Sequence, residues 1–141
     1  MHRALTSIST WRPMVEDLEH FPLAMLDFRS IDPMQDFVPY DQVSPIRHKE
    51  LYLIKPKEEH QWYWASQQKR SELLVFVQYD SMVGSQARCK YPGMPVQKSH
   101  DVLTATVCPH AGFRNTCAGP NATMRKSIET RSVVITKIRS V

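Results

Sequence analysis

Ten prolines stand against four glycines in this 141-residue chain, and few stretches keep a helical apolar period for long. Proline fixes φ and removes an amide donor, so a chain punctuated this often folds into short elements joined by rigid turns. The apolar residues gather in runs of strand length: Leu23 to Phe28, Glu50 to Ile54, Gln61 to Trp64, Glu72 to Tyr79 and Ser127 to Ile138. The fourth run, rich in β-branched and aromatic residues, reads as a central strand. One short helix is expected around Pro13 to His20, stopped by Phe21-Pro22. Short strands with a single helix predict a mostly β sandwich or barrel. A chain of this length holds one domain, residues 1–141, and its strands complete one sheet and part of another. That leaves an edge or face in need of a covering partner.

Hydrophobic residues at 42% and charged residues at 23% match an ordinary globular protein. The net charge is +4, yet the basic residues are scattered from Arg3 to Arg139, and the pair Lys69-Arg70 is too short for a nucleic-acid stripe. No nucleic-acid partner is expected. The first ten residues lack a signal-type apolar run, and no run of about eighteen apolar residues occurs. A soluble, cytoplasmic protein with no membrane partner is therefore expected. Cys89, Cys108 and Cys117 are odd in number and match no zinc or redox spacing, so they read as free thiols.

The chemistry-bearing pattern is Pro109-His110-Ala111-Gly112-Phe113, followed by Arg125-Lys126-Ser127 at the start of the last strand. A mononuclear Fe(II) oxygenase needs two imidazoles and a carboxylate on one face of the metal. If its co-substrate is a dicarboxylate, a guanidinium on the next strand can hold the far carboxylate through two parallel hydrogen bonds. Taken alone, a histidine before a turn is more often a surface or satisfied core residue. His48 and His60 lie in polar segments and are expected to face solvent. Trp62 and Trp64 could line an apolar substrate pocket, although aromatic strands are usually core. Asp27 and Asp80 end strands and read as turn residues.

Several segments together resemble fungal hydroxylase/desaturase enzymes, a family that includes gibberellin-desaturase-like proteins and relatives of the cephem methoxylase small subunit. They are Trp11-Arg12-Pro13, Phe21 to Asp32, Glu50-Leu51-Tyr52, His60 to Trp64, Tyr79-Asp80-Ser81, Pro109 to Phe113 and Arg125 to Arg131, in the family's order. The resemblance implies an incomplete double-stranded β-helix, a cupin-like jelly roll, that uses Fe(II) and 2-oxoglutarate to hydroxylate or desaturate a small natural product. It implies His110 as the distal iron ligand and Arg125 or Arg131, with Ser127, as the co-substrate contacts. If the last strand runs through residues 125–131, alternation puts both arginines on one face.

Three departures stand beside the resemblance. The family's His-x-Asp pair lies upstream of the Trp-Arg-Pro segment and occurs nowhere in this sequence. The chain is thus expected to be the C-terminal half of the family fold, completed by the missing N-terminal half or by a second subunit. Val77 stands where the family tends to carry lysine, and residues 89–107 read as an inserted surface loop. The alternative to an oxidoreductase is a truncated, non-catalytic accessory or degenerate member of the same family.

Overall fold

A computed structural model describes residues 3–81 and 107–137, so the expected inserted loop lies outside the described residues. In chain order the strands are β1 (Arg3–Pro13), β2 (Leu23–Leu26), β3 (Phe37–Ser44), β4 (Arg47–Ile54), β5 (Trp62–Trp64), β6 (Leu74–Asp80), β7 (His110–Gly112) and β8 (Ser127–Lys137). They form two three-stranded sheets, ordered β6-β1-β8 and β5-β2-β7, and a β3-β4 hairpin. Every pairing among them is antiparallel.

The register of the first sheet sets its inner face. Ser9 lies opposite Phe76 on β6 and Arg131 on β8, and Trp11 lies opposite Leu74 and Glu129. Directly paired residues project to the same side of a sheet, so these six side chains share one face. A bulge at Ser7/Ile8 leaves Gln78 as the extra residue on β6. In the second sheet, Met25 lies opposite His110 and Tyr63, and Leu23 lies opposite Gly112. Trp11, Leu18, Leu23 and Phe76 make the buried cluster between the sheets, with Val15, Met25, Leu74 and Cys108 packed against it. Burial of side chains of this size contributes roughly 1.5–3 kcal/mol each.

The strands expected over Leu23 to Phe28, Glu50 to Ile54, Gln61 to Trp64, Glu72 to Tyr79 and Ser127 to Ile138 are found within a few residues as β2, β4, β5, β6 and β8. Three more, β1, β3 and β7, were not anticipated, and β1 is central to its sheet. The helix expected over Pro13 to His20 is absent. Asp17 adopts φ 47°, a left-handed conformation that breaks a helix, and the Leu18 amide donates to the Gln68 carbonyl at 2.9 Å. The helical turn among the described residues is a 3-10 turn at Phe28–Ser30, where Asp27 caps by accepting from the Arg29 amide. Asp27 is therefore a turn residue, and the Arg29 guanidinium bonded to it lowers its pKa.

Candidate active site

β7 is short, and the two residues that lead into it are tied to a strand of each sheet. The Cys108 amide donates to Val77 on β6 at 3.0 Å, and the Leu26 amide donates to Pro109 at 2.8 Å. These bonds hold the next side chain, His110, across the gap between the sheets. Its ring packs on Phe76 with centroids 4.6 Å apart, and its Nδ1 lies 2.8 Å from the Cys108 carbonyl oxygen. A carbonyl can only accept, so Nδ1 is the donor here, and in the neutral tautomer that makes this bond the lone pair lies on Nε2. Metal-binding histidines are commonly oriented in this way. Burial raises the pKa of the Cys108 thiol, which therefore stays protonated beside the Met25 sulfur at 3.5 Å.

Two residues along β7, Gly112 presents bare backbone on the face that His110 occupies, because alternate strand positions share a face. The Arg125 guanidinium fills the space a side chain at Gly112 would take and lies over the Phe21 ring, 5.0 Å from its centroid. Arg125 precedes β8, so the strand alternation expected to relate it to Arg131 does not reach it. Arg131 sits on the inner face of the first sheet, with its guanidinium 3.7 Å from Glu129. Glu129 in turn accepts from the buried Ser9 hydroxyl at 3.1 Å, and that hydroxyl accepts from Gln78 at 3.0 Å. Ser127, opposite Pro13 and half-buried, shares the face of Glu129 and Arg131.

The structure therefore brings Arg125 to the strand that carries His110 and puts Arg131 and Ser127 on the inner face of the other sheet. It does not bring Trp62 and Trp64 there. They lie opposite Leu26 and Ala24, on the other face of the second sheet from His110, and Trp64 packs edge-on against Phe113 at 5.2 Å. The sequence reading missed Ser9, Gln78 and Glu129. The alternation Ser127, Glu129, Arg131 was a readable signal for Glu129 alone.

His60, expected in solvent, is instead buried. Its Nε2 lies 3.1 Å from Oδ2 of Asp36, which is fully buried and also accepts from the Asp32 amide at 2.8 Å. The other Asp36 oxygen, Oδ1, ion-pairs with Lys57, its one partner among the described residues. The Lys57 ammonium is the main cause that holds the Asp36 pKa far below the ordinary carboxylate range, with the Asp32 amide and His60 adding to it. This cluster closes the base of the β3-β4 hairpin, where the Lys55 amide donates to the Asp36 carbonyl at 2.8 Å. His48 is exposed, as expected. An open concavity of about 430 Å³ is lined by Asp27, Arg29, Ser30, Glu59 and Gln61 and does not include His110.

Among the described residues no group of three or more His, Cys, Asp or Glu side chains converges as metal ligands. One aligned imidazole does not fit a complete mononuclear iron centre, which takes three protein ligands. No helix among the described residues is long and apolar enough to cross a membrane. Cys108 and Cys117 are free thiols, and Cys89 lies outside the described residues.

Residues 1–135 match the family model described as Oxidoreductase/YMDC permease-like domain, and the chain belongs to that family. Among curated relatives it is 28% identical over 139 residues to the hydroxylase/desaturase efuI of Hormonema carpetanum, covering 90% of this chain and 39% of the relative. It is 29% identical over 136 residues to the Fe(II)/2-oxoglutarate-dependent dioxygenase nvfI of Aspergillus novofumigatus, covering 91% and 40% respectively. The chain thus spans about two fifths of the length of these relatives. A solved structure titled iron and alpha-ketoglutarate-dependent endoperoxidase NvfI superposes with a TM-score of 0.70 at 24% identity, over 96% of this chain and 43% of that one. The likeness shows a shared fold.

Proposed function

We propose that this chain forms the distal-imidazole and co-substrate side of an Fe(II)/2-oxoglutarate-dependent oxidoreductase that hydroxylates or desaturates a small natural product of fungal secondary metabolism. His110 is the iron ligand it contributes, and Arg125 is the group that holds the far carboxylate of 2-oxoglutarate. The observation that carries the reading is the pairing of an Nδ1-anchored imidazole with a guanidinium two residues along the same strand face. Arg125 is favoured over Arg131 because Glu129 already faces Arg131, whereas no carboxylate ion-pairs with Arg125 among the described residues. Ser127, two residues on, is a second candidate contact for the co-substrate. Bound iron would supply the dioxygen chemistry, and this chain's residues would orient one ligand position and one anion. The iron ligands still needed lie beyond this set of residues, in the remainder of a longer protein or in a second subunit.

The two sheets are read as parts of an incomplete double-stranded β-helix in a single domain. Val133 and Ile135 support this, since they continue the inner face of β8 beyond Arg131 yet are 65% and 58% exposed. A second reading, a non-catalytic accessory member, is favoured by the single aligned imidazole. One experiment separates them: Fe(II)-dependent conversion of 2-oxoglutarate to succinate by this chain joined with the segment or subunit that carries the remaining iron ligands. Turnover that disappears in His110→Gln supports the enzyme. Binding of 2-oxoglutarate without turnover supports the accessory reading, and loss of both rejects the site.

A further inference from the structure

We propose that Phe21 and Gly112 are positioning residues that together form a seat for the Arg125 guanidinium and aim it as an anion fork; this rests on the reading of Arg125 as the co-substrate arginine. Gly112 is not required by its backbone, because it lies in a paired strand opposite Leu23 with no left-handed φ. What it supplies is the missing side chain. A Cβ built there would stand 2.6 Å from Arg125 Nη1 and 2.9 Å from Phe21 Cε1. Both contacts are closer than carbon atoms tolerate, and the Arg125 tip is the part free to leave.

Phe21 supplies the other half of the seat. The guanidinium lies 5.0 Å from its ring centroid, within the range of cation–π attraction. A guanidinium held over a ring by its flat face keeps its in-plane N–H groups free to fork onto a carboxylate, which is the role the proposal gives this contact. Both walls are fixed by backbone bonds. The Phe113 amide donates to Pro22 at 3.2 Å and the Asn115 amide to His20 at 3.2 Å, which clamps Phe21 between them. The Met14 amide donates to Lys126 at 2.7 Å and anchors the residue after Arg125. The side chain therefore has a fixed root and a fixed platform, with its donors left over.

The test is 2-oxoglutarate binding by calorimetry to the full chain and its variants, with the Nε–Hε resonance of Arg125 read by NMR. Arg125→Gln should lose binding by about tenfold or more, as removal of a bidentate charged contact does. Phe21→Leu should weaken it by about three- to fivefold, and Phe21→Trp should restore it, because a larger aromatic face keeps the cation–π contact. Gly112→Ala should weaken binding and also lower the melting temperature modestly, since the added Cβ displaces the arginine tip and presses on the Phe21 ring. Loss of the ring-current shift of the Arg125 Nε–Hε resonance in Phe21→Leu checks the stack without any ligand. If Phe21→Leu and Gly112→Ala bind like the native chain while Arg125→Gln does not, the seat is wrong and the Arg125 reading stands. If Arg125→Gln binds normally, or the native chain takes up no 2-oxoglutarate, the Arg125 reading fails and the seat with it.

Discussion

Two histidines of this chain meet an oxygen through one ring nitrogen, and they end in opposite situations. His60 points Nε2 at the buried carboxylate of Asp36, whose other oxygen meets Lys57, so every group in that cluster is committed to another. His110 spends Nδ1 on a backbone carbonyl and keeps Nε2, on a strand that a guanidinium also reaches. The first arrangement closes the base of a hairpin and leaves nothing to bind with. The second fixes a ring while leaving its other nitrogen and a cation in reserve. Burial alone therefore does not separate a committed histidine from one proposed as a ligand; the identity of its partner does.

The sharpest way to break this contrast is to open the closed cluster. Asp36→Ala should lower the melting midpoint by on the order of 10 °C, because it strands His60 and Lys57 beside a desolvated gap. An unchanged midpoint would mean the cluster holds nothing. Next is the hydrophobic floor beneath His110: Phe76→Ala should cost about 3–5 kcal/mol in urea unfolding, as a large core truncation does. A third measurement uses pH. The Asp36 carboxyl is held well below its ordinary 3.8, so its stabilisation is complete above that value and declines as pH falls through the lower folded value. Asp36→Asn should flatten the acid limb of the stability curve below pH 3.8, while His110→Gln should leave that limb in place. The smallest effect is expected from Trp64→Ala. Losing the edge contact with Phe113 should cost about 0.5–1.5 kcal/mol beyond its lost area and leave 2-oxoglutarate binding unchanged, since Trp64 faces away from His110. A binding loss there would bring the tryptophan face back into the site.

Legibility in the sequence followed local contrast. β6 was visible because Leu74 to Val77 is an unbroken apolar run of β-branched and aromatic residues after Leu74, and β8 because Val133 to Ile135 is apolar and β-branched. β1 was not, although it is central to its sheet, because its inner face carries Ser7 and Ser9 and the segment reads as small and polar. β7 has three residues, too few to show a period. His110 and Arg125 could be singled out from their order along the chain. His60 could not be told from a surface histidine, because its burial depends on Asp36, twenty-four residues away.

By itself the sequence determined the strand-rich class, the absence of a basic stripe or zinc spacing, and the family to which the segments around His110 and Arg125 are similar. Tertiary structure alone decided which arginine reaches the His110 strand, that Glu129 occupies the other, and that the two tryptophans turn away. The reason is physical. Class and pattern are written in residues a few positions apart, through backbone propensity and hydrophobic period. The environment of an imidazole or a guanidinium is set by the register of strands far apart in the chain, and a shift of one residue in that register would turn every such side chain to the opposite face.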